Sequence, residues 1–504
     1  MAVVTLTDWP WQIVRRLAKE RGVQVWPVGG AVRDALLERP VHDWDFAVER
    51  GAMGLARSVA DALDGHYFPL DAERDTGRVI ATTPNGARVE LDFAALRGGG
   101  LEADLFARDF TVNAMALDET GALIDPTGGQ ADLAKRYIRA TSERAFQNDP
   151  ARLLRVVRME AELGFEIEPH TVGWLRRDAS LAALPAAERV RDEFARLLTL
   201  PRAVVPLQRL DEFGLLRHIA PELEALKGVS QSPPHRFDVW HHTLMTVDAL
   251  EGVSASVTGQ RVARLALADA PSAAWGDLAR AMGQFAGDVN AHLSVKVSGG
   301  RERAMLLKLA ALLHDVGKPQ TWSQDEQGHI HFYNHEPIGA QMAAARMRKL
   351  HFSRDEAERI RTIVGQHLRP AHLSRAEKVT RRAVYRYFRA TSCAGVDVVL
   401  LSLADHLATY GPSLQEQRWS RRLEVVETLL THYFDQYEET VAPPPLITGS
   451  DLITGLGLDA GPEIGRILEA LREAQAAGEV NTRDEALALA RKIAGLLDNL
   501  DQLG

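Results

Sequence analysis

Asp43 and Asp45 are the residues near the start of the chain whose types and spacing most directly indicate chemistry. In a β-strand, side chains two residues apart project from the same face, so we expect the two carboxylates to lie together. Carboxylates this close repel each other unless a cation lies between them. Mg²⁺ suits the pair, because proteins hold it through one or two carboxylates together with substrate phosphates. The spacing therefore predicts a Mg²⁺ site that polarises an attacking hydroxyl and a leaving pyrophosphate.

The elements around this pair are predicted to be strand, glycine turn, helix, turn and strand. The apolar run at residues 26–28 stops at Gly29 and Gly30, and a glycine pair lets the backbone come close to a phosphate. Residues 31–37 have helical spacing, with Arg33 on the first turn. We therefore expect the glycine turn and Arg33 to contact phosphates beside the aspartates.

Two alternating runs, residues 77–83 and 87–93, flank the sequence Pro-Asn-Gly and predict a β-hairpin. Glu90 and Asp92 face the same side of its second strand, again by strand alternation. Either one is a candidate third carboxylate of the acidic site. The alternative for both is an ordinary solvated carboxylate at a sheet edge.

The composition is that of a soluble globular protein. The 504 residues, 46% hydrophobic and 25% charged, suggest about two to four domains. Cys393 is the single cysteine, which excludes a disulfide framework and indicates a reducing compartment. We find no apolar run near the length of a membrane span and no signal-peptide pattern at residues 1–7, so we expect a cytoplasmic protein. The net charge of −9 argues against bulk nucleic-acid binding but allows a local basic face.

Two further blocks extend the pattern. Residues 107–116 read Ala-Arg-Asp-Phe-Thr-Val-Asn-Ala-Met-Ala, and residues 148–155 read Asn-Asp-Pro-Ala-Arg-Leu-Leu-Arg. Pro150 is well placed at the first turn of a predicted helix, with Asp149 near its start. Together with the glycine turn and the aspartate pair, these blocks resemble the class II tRNA nucleotidyltransferase and bacterial poly(A) polymerase family, which has a head of the DNA polymerase β type.

The resemblance implies roles for the residues that match the family's motifs. Arg108 and Asp109 would select the ribose, and Asn113 would contact the bound nucleotide. Ala107 stands where the family has a first arginine. The remaining implied nucleotide-binding residues lie in the second block and the helix that follows it: Asp149 and Arg152, which would present a hydrogen-bonding edge to the incoming base, and Arg155 and Arg158.

Arginines continue along the helical region that follows, and we expect them to contact tRNA phosphates at the acceptor stem. The alternative is that they pair with nearby acids on helix surfaces. They are Arg176, Arg177, Arg189, Arg191 and Arg196.

A second site is predicted in the C-terminal half. Its order of His, His-Asp, His, His and Asp on successive helices resembles the HD-domain metal phosphohydrolases. That resemblance implies a divalent metal, with histidine favouring transition ions, and hydrolysis of phosphates at RNA ends. The implied ligands are His242, His314, Asp315, His335, His367 and Asp405, whereas His329, His331 and His406 are expected to be solvated neighbours.

We expect an α+β fold, with a mixed-sheet nucleotidyltransferase head followed by mostly helical parts. The predicted division is a head at residues 1–140, a neck at 141–228, an HD domain at 229–440 and a helical tail at 441–504. A stretch at about residues 253–303 would be an insertion in the HD domain.

The predicted activity is template-independent addition of CMP to the 3′ end of tRNA from nucleoside triphosphates. Residues 97–107, between the candidate third carboxylate and the second block, are short and hold three glycines. In the resembled family this deletion favours a CC-adding enzyme that uses CTP and works with a separate A-adding enzyme. A full CCA-adding enzyme that also uses ATP is the alternative. A poly(A) polymerase would be expected to have a basic C-terminal extension, and a non-enzymatic RNA-binding protein is disfavoured by the intact acidic motifs.

Overall fold

The computed structural model describes residues 9–41, 43–259 and 270–501, with side chains described up to residue 495. The segment tested for a signal peptide, residues 1–7, and part of the predicted insertion, residues 260–269, lie outside these ranges. The chain divides into two compact units, Met1–Glu193 with Gln208–Ile219, and Phe194–Leu207 with Ala220–Gly504.

The first unit is built on a seven-stranded mixed sheet with the order β3-β4-β5-β2-β1-β6-β7. Neighbouring strands are antiparallel except β2 and β5, which pair in parallel. The strands are β1 (Val25–Val28), β2 (Asp43–Val48), β3 (His66–Asp71), β4 (Thr76–Thr82), β5 (Arg88–Ala95), β6 (Ala116–Leu117) and β7 (Leu123–Ile124). A separate parallel pair follows, β8 (Tyr137–Ile138) and β9 (Glu166–Ile167).

Helices lie between the strands of this sheet in sequence, and the chain after the sheet is mostly helical. The last two long ones, α9 and α10, cross the points at which the two units divide. The helices are α1 (Trp9–Arg21), α2 (Gly30–Leu36), α3 (Ala52–Ala62), α4 (Leu101–Ala107), α5 (Gly129–Lys135), α6 (Ala145–Asn148), α7 (Arg152–Leu163), α8 (Pro169–Asp178), α9 (Ala187–Thr199), α10 (Val204–Glu212) and α11 (Leu216–Ile219). Short 3₁₀ turns occupy Thr111–Asn113 and Ala179–Ala183.

Strand alternation gives β2 one apolar face and one acidic face. Trp44, Phe46 and Val48 enter a core shared with α1 and α3, and the Phe46 ring stacks on Phe93 with 5.0 Å between centroids. Burying a large apolar side chain of this kind contributes about 1.5–3 kcal/mol. This packing fixes the register of β2 and therefore turns Asp45 toward the opposite face.

The second unit is almost entirely helical, apart from the hairpin β10 (Trp322–Gln324) and β11 (Ile330–Phe332). Its central helices α13 and α22 are buried along most of their lengths. The helices are α12 (Pro221–Glu224), α13 (Val239–Thr258), α14 (Ser272–Met282), α15 (Ala286–Ser294), α16 (Arg303–Leu313), α17 (Lys318–Thr321), α18 (His335–Lys349), α19 (Arg354–Gln366), α20 (Arg369–Leu373), α21 (Arg381–Thr391), α22 (Gly395–Tyr410), α23 (Glu416–Phe434), α24 (Gly449–Leu456), α25 (Pro462–Ala476) and α26 (Arg483–Asp501). The remaining turns are 3₁₀ at Gly283–Phe285, Ser392–Ala394 and Gly411–Ser413, and π at Tyr437–Val441.

Sheet and helices together confirm the predicted α+β class. The predicted hairpin is confirmed as β4 and β5. The described part of the expected insertion forms α14 and α15, which pack into the second unit. There, the Trp419 indole donates a hydrogen bond of 3.2 Å to the Ala274 carbonyl.

One helical stretch of the described chain, Arg381–Ser413, is long and apolar enough to cross a membrane by length and composition. The sequence-based expectation that no apolar run approaches this length was therefore wrong. Because 78% of the most apolar window is buried inside the fold, the stretch has the burial of a core helix.

Candidate active site and candidate metal centre

The acidic face of the sheet brings four carboxylate residues into two adjacent pairs. Parallel pairing of β2 with β5 sets Asp43 beside Glu90 and Asp45 beside Asp92. Arg78 on β4 forms a bidentate ion pair with Asp92, in which Nε lies 2.7 Å from Oδ1 and Nη2 lies 2.8 Å from Oδ2. The same guanidinium reaches Glu90 at 3.1 Å. Asp92 is thus the candidate third carboxylate that lies next to Asp45.

The environment of Asp45 favours a bound cation. Burial raises the pKa of Asp45, Arg108 partly opposes that effect, and the neighbouring charge of Asp92 adds to it. An ionised Asp45 is therefore unfavourable in the protein alone, and a hard cation would stabilise it. Oxygen donors placed side by side on one strand match the ligands that Mg²⁺ takes in proteins.

Gly29 allows the close approach that this site needs. Its φ of 73° lies in the left-handed region, and a Cβ there would stand 2.7 Å from Asp45 Oδ2 and 3.2 Å from Arg108 Nη1. A side chain at this position would therefore displace the Asp45 carboxylate and crowd the Arg108 guanidinium. Arg108 is held from its other side by Asp104, at 3.1 Å.

Two hydrogen bonds and an ion pair join four of the sequence-predicted residues. Arg33 donates to Asn113 Oδ1 at 2.7 Å, and Asn113 donates to Asp109 Oδ1 at 3.2 Å. Asp109 Oδ2 meets Arg155 Nε at 2.8 Å. Burial would raise the pKa of Asp109, but Arg155, the Phe110 amide and Asn113 together lower it. Asp109 is therefore a fixed, ionised hydrogen-bond acceptor at neutral pH.

Asp149 and Arg152 lie close together but point to different partners. Asp149 lies between α6 and α7 and is held by Arg189 in a two-pronged ion pair of 2.9 and 2.8 Å. Arg152 donates to the Ala107 carbonyl at 2.8 Å, and its Nε lies 3.9 Å from Asp149. Arg158 is placed differently: it is buried and pairs with Glu193 at 2.7 Å and Glu162 at 2.5 Å.

The second unit brings all six predicted metal ligands into one buried cluster. They fall into two triads, and the ligand atoms of each triad lie within 4.8 Å of one another. Asp315 connects the triads, because its Oδ2 lies 3.1 Å from His314 Nε2 and its Oδ1 lies 3.5 Å from His335 Nε2. The triads are His242, His314 and Asp405, and Asp315, His335 and His367.

Backbone carbonyls fix the orientation of three of these imidazoles. Each Nδ1 lies at hydrogen-bond distance from the carbonyl three residues earlier, which leaves Nε2 as the free lone pair. The contacts are His314 to Ala311 at 2.7 Å, His335 to Phe332 at 2.8 Å and His367 to Val364 at 2.7 Å.

The cluster fits a metal centre by a further criterion. The Nε2 atoms of His242, His314 and His335 are buried and have no hydrogen-bond partner among the described residues. Burial also lowers the pKa of His242, and it lowers that of His367 to about 3, so both rings are neutral, as metal ligation requires. Neutral imidazoles beside carboxylates suit a divalent transition ion.

Several neighbours of the two sites were not assigned from sequence. Asp104 lies one helical turn before Arg108, and Lys318, 2.6 Å from Asp315, lies one turn after it, so helical spacing could have indicated both. Arg78 had no such local signal. Arg189 was expected to contact tRNA phosphates or to pair with a nearby acid, and in the structure it pairs with Asp149. His406 was expected to be solvated, and that was wrong: it is buried, and its ring stacks on Trp419 with 5.8 Å between centroids.

Comparison with known families gives three matches along the chain. Residues 25–139 match the poly A polymerase head domain, and residues 164–227 match the probable RNA and SrmB-binding site of polymerase A. Residues 276–410 match the HD domain. The head-domain match contains the acidic face, and the HD match, later in the chain, contains ligands of the candidate metal centre.

Two relatives cover nearly the whole chain. The A-adding tRNA nucleotidyltransferase of Deinococcus radiodurans is 35% identical, over 92% of this chain and 94% of the relative. The CC-adding tRNA nucleotidyltransferase of Thermus thermophilus is also 35% identical, over 92% of each chain.

Solved structures show the same fold. A CCA-adding enzyme in its apo form has a TM-score of 0.58 at 19% identity, covering 95% of this chain and 92% of the other. The Thermotoga maritima CCA-adding enzyme complexed with tRNA has a TM-score of 0.55 at 19% identity, covering 98% and 97%.

Proposed function

The chain belongs to the tRNA nucleotidyltransferase family, and from this membership we propose that it adds two CMP residues to the 3′ end of tRNA without a nucleic-acid template. The substrates are CTP and a tRNA that ends before its CCA sequence. The 3′ oxygen of the tRNA attacks the α-phosphorus of CTP, and pyrophosphate leaves.

The acidic face supplies the reacting centre in this proposal. Asp43 and Asp45 hold Mg²⁺, and Asp92 completes the acidic set. Mg²⁺, when bound, activates the attacking hydroxyl and stabilises the leaving pyrophosphate. Gly29 leaves room for the Asp45 carboxylate and the Arg108 guanidinium to lie together at this centre.

The surrounding residues position the nucleotide. Arg108 and Asp109 hold the ribose, and the Arg155 ion pair together with the Asn113 hydrogen bond keeps Asp109 ionised and fixed. Asp149 and Arg152 present a carboxylate and a guanidinium to the base edge.

The limit of two nucleotides rests on one observation, the connection from β5 to α4. Only residues 96–100 separate these elements. Gly98 and Gly99 turn the chain with φ of 71° and 91°, and the Arg97 amide donates to Asp104 at 3.3 Å. Because this connection is short and hydrogen-bonded to Asp104, it has little freedom to move, and we expect that a switch of base specificity from C to A would need such movement. The A-adding relative makes addition of AMP alone the competing function.

Primer extension at single-nucleotide resolution tests the product. Transcripts of one tRNA, ending before CCA, after the first C and after CC, receive CTP, ATP or both. We expect extension to stop after CC with both nucleotides present and no extension of the transcript that already ends in CC. Extension to CCA, or addition of A only to the CC end, would overturn the CC assignment.

Variants at the acidic pair test the mechanism. Asp43→Ala and Asp45→Ala should each abolish Mg²⁺-dependent incorporation while tRNA affinity stays within about twofold, because both residues act on the ions and not on the RNA. Incorporation that survives both substitutions would show that the two-carboxylate mechanism is wrong.

We propose that the metal centre is a phosphohydrolase that removes 3′-phosphates or opens 2′,3′-cyclic phosphates at RNA ends. The buried Nε2 atoms that converge on Asp315, and that make no hydrogen bond to any described residue, support it. A divalent metal, when bound, supplies an activated water. Release of phosphate from a 3′-phosphorylated RNA by wild type, and its loss in Asp315→Asn with nucleotide addition retained, is the expected result.

The cellular setting is part of the proposal. A protein that adds only CC needs a separate A-adding enzyme in the same cell, acting on the CC end that this chain produces. We propose a cytoplasmic location, consistent with Cys393 as the one cysteine, a free thiol.

A further inference from the structure

Arg422, on α23, is a buried cation that the activities above do not use. Its side chain is 7% exposed. Among the described residues no hydrogen-bond partner meets its Nε or Nη1, and Nη2 reaches only His406 Nδ1, at 3.5 Å. Burying a guanidinium without an acceptor is unfavourable, so this geometry points to an anion that is bound in function.

Arg422 lines the same cavity as the metal centre. The cavity has a volume of about 820 Å³, and Asp315, His335, His367 and Asp405 form part of its wall. Further cations line it: Lys318, Arg375, Arg418 and Arg421. Arg421 is partly used, since it pairs with Glu424 at 2.7 Å, and Arg418 donates to the Tyr410 hydroxyl at 3.0 Å. Arg422 is therefore the buried cation of the wall with free donors.

We propose that Arg422 forms a phosphate-binding site in the metal cavity and holds the terminal phosphate of a nucleotide or RNA end. A guanidinium presents parallel donor pairs, in Arg422 Nη1 with Nη2, that match two phosphate oxygens, which a lone ammonium cannot do. The role of this site in substrate binding rests on the phosphohydrolase proposed above, whereas its affinity for phosphate does not.

The rim of the cavity carries a surface for the nucleoside. His331 lines the cavity, and the ring of Tyr333 stacks on it with 5.2 Å between centroids and 12° between planes. Tyr333 is 68% exposed, so its outer face is open to a base. Stacking of a base on an aromatic ring contributes about 1–3 kcal/mol. The ligand is thus a phosphate carried by a nucleoside, in preference to free phosphate.

Titration calorimetry on the full chain loaded with Mn²⁺ tests the site, with inorganic phosphate and a nucleoside 3′-monophosphate as the two ligands. Arg422→Met should weaken both by roughly tenfold or more, the range for a charge-assisted hydrogen-bond pair. Arg422→Lys, which keeps the charge without the fork, should retain part of the affinity. Arg361→Met is the matched control, because Arg361 is paired with Glu358 on an exposed helix face.

Comparison of the two ligands distinguishes the phosphate site at Arg422 from the base-stacking surface at Tyr333. In wild type the nucleotide should bind more tightly than inorganic phosphate, and Tyr333→Ala should remove that margin while leaving phosphate affinity unchanged. Equal affinities of the wild-type protein for the nucleotide and for inorganic phosphate would overturn the proposal that Tyr333 binds the base.

Metal content, measured by elemental analysis, excludes a purely structural role. If Arg422→Met loses Mn²⁺, Arg422 serves as a countercharge for Asp405 and the proposal is overturned. Unchanged phosphate affinity in Arg422→Met, or no phosphate binding by wild type, overturns it as well. Phosphate binding that depends on Arg422 in a protein without hydrolysis would remove the phosphohydrolase and leave the anion site standing. Hydrolysis with an unchanged KM in Arg422→Met would rule out the phosphate site at Arg422 and leave the phosphohydrolase standing.

Discussion

At the residue scale, the acidic face depends on one position without a side chain. Gly29 has a left-handed backbone and leaves space that Asp45 and Arg108 occupy. A positive φ alone would not single out this glycine, because other turns of the chain also have positive φ. The combination ties the geometry of the turn to the placement of a candidate metal ligand.

Gly29→Ala should therefore reduce activity far more than stability. A Cβ 2.7 Å from Asp45 Oδ2 must displace that carboxylate, and a misplacement of about 1 Å can cost on the order of a hundredfold in rate. Single-turnover incorporation of CMP measures it. Gly86→Ala is the control, because Gly86 also has positive φ, 85°, but nothing lies within 4 Å of its Cβ position. A wild-type rate in Gly29→Ala would remove the role given to this turn.

Arg189 is predicted to be a positioning residue for base selection. Burial would raise the pKa of Asp149, but the Arg189 ion pair and the Ala151 amide lower it and hold the carboxylate in place. Arg189→Met should lower the ratio of kcat/KM for CTP over UTP by roughly tenfold, the effect of one lost charge-assisted hydrogen bond. Arg196→Met, an exposed position on the same helix, should leave the ratio unchanged. An equal fall for both nucleotides would indicate a structural role only.

Strand alternation was sufficient to predict that Asp43 and Asp45 share one face of the sheet. The histidine and aspartate ligands of the second site were predicted through the resemblance to HD-domain phosphohydrolases, and the structure brings them into one cluster. Arg78 and Arg189 could not be predicted this way, because their carboxylate partners lie 14 and 40 residues away in sequence. Only the fold brings such pairs together.

At the element scale, α19 positions a metal ligand at its end. Its N-terminus has a capping box in which Ser353 and Glu356 exchange hydrogen bonds, and His367 follows its last turn. Glu356 is fully buried and pairs with Arg301 at 2.8 Å. These contacts fix the start of the helix and so the position of the ligand at its other end. The capping pattern is visible in the sequence, whereas the Arg301 partner is not.

Glu356→Gln should cost about 2 kcal/mol of unfolding free energy at pH 7, since it removes charged hydrogen bonds. Burial would raise the pKa of Glu356, but Arg301 and Ser353 lower it below its ordinary value of 4.5. The stabilisation is therefore complete above about pH 4.5 and is lost as the pH falls through the lower, folded-state pKa.

Urea unfolding of wild type and variant between pH 3 and pH 7 measures this difference. Glu358→Gln is the matched control, because Glu358 pairs with Arg361 on the exposed face and should contribute less than about 1 kcal/mol. A difference that does not change with pH would assign the loss to packing.

At the scale of the whole molecule, the chain consists of two compact units with one candidate site in each. The tail also has its own small apolar core, and two of its acids pair with arginines of α21. Glu469 pairs with Arg389 at 2.8 Å and Glu473 with Arg386 at 2.6 Å. Spacing along the chain does not indicate these pairs, because the partners lie 80 and 87 residues apart.

Scanning calorimetry should show that each site stabilises its own unit. A metal at about 100 times its dissociation constant adds roughly 2.7 kcal/mol to the unit that binds it. We expect Mn²⁺ to raise one unfolding transition, with no rise in Asp405→Asn, and CTP with Mg²⁺ to raise the other, with no rise in Asp45→Asn. A single transition that responds to both ligands in both variants would contradict independent sites.

The parallel pairing of β2 with β5 also has a consequence for the order in which the protein folds. β4 and β5 form a local hairpin, whereas β2 meets β5 only after a long loop closes, and such pairings form slowly. We expect pulsed hydrogen exchange to show protected amides in β4 and β5 before β2, and simultaneous protection would contradict this order. Repulsion between Asp45 and Asp92 is then postponed until β2 pairs with β5, so the proposed metal-binding acids do not oppose the earlier formation of the hairpin.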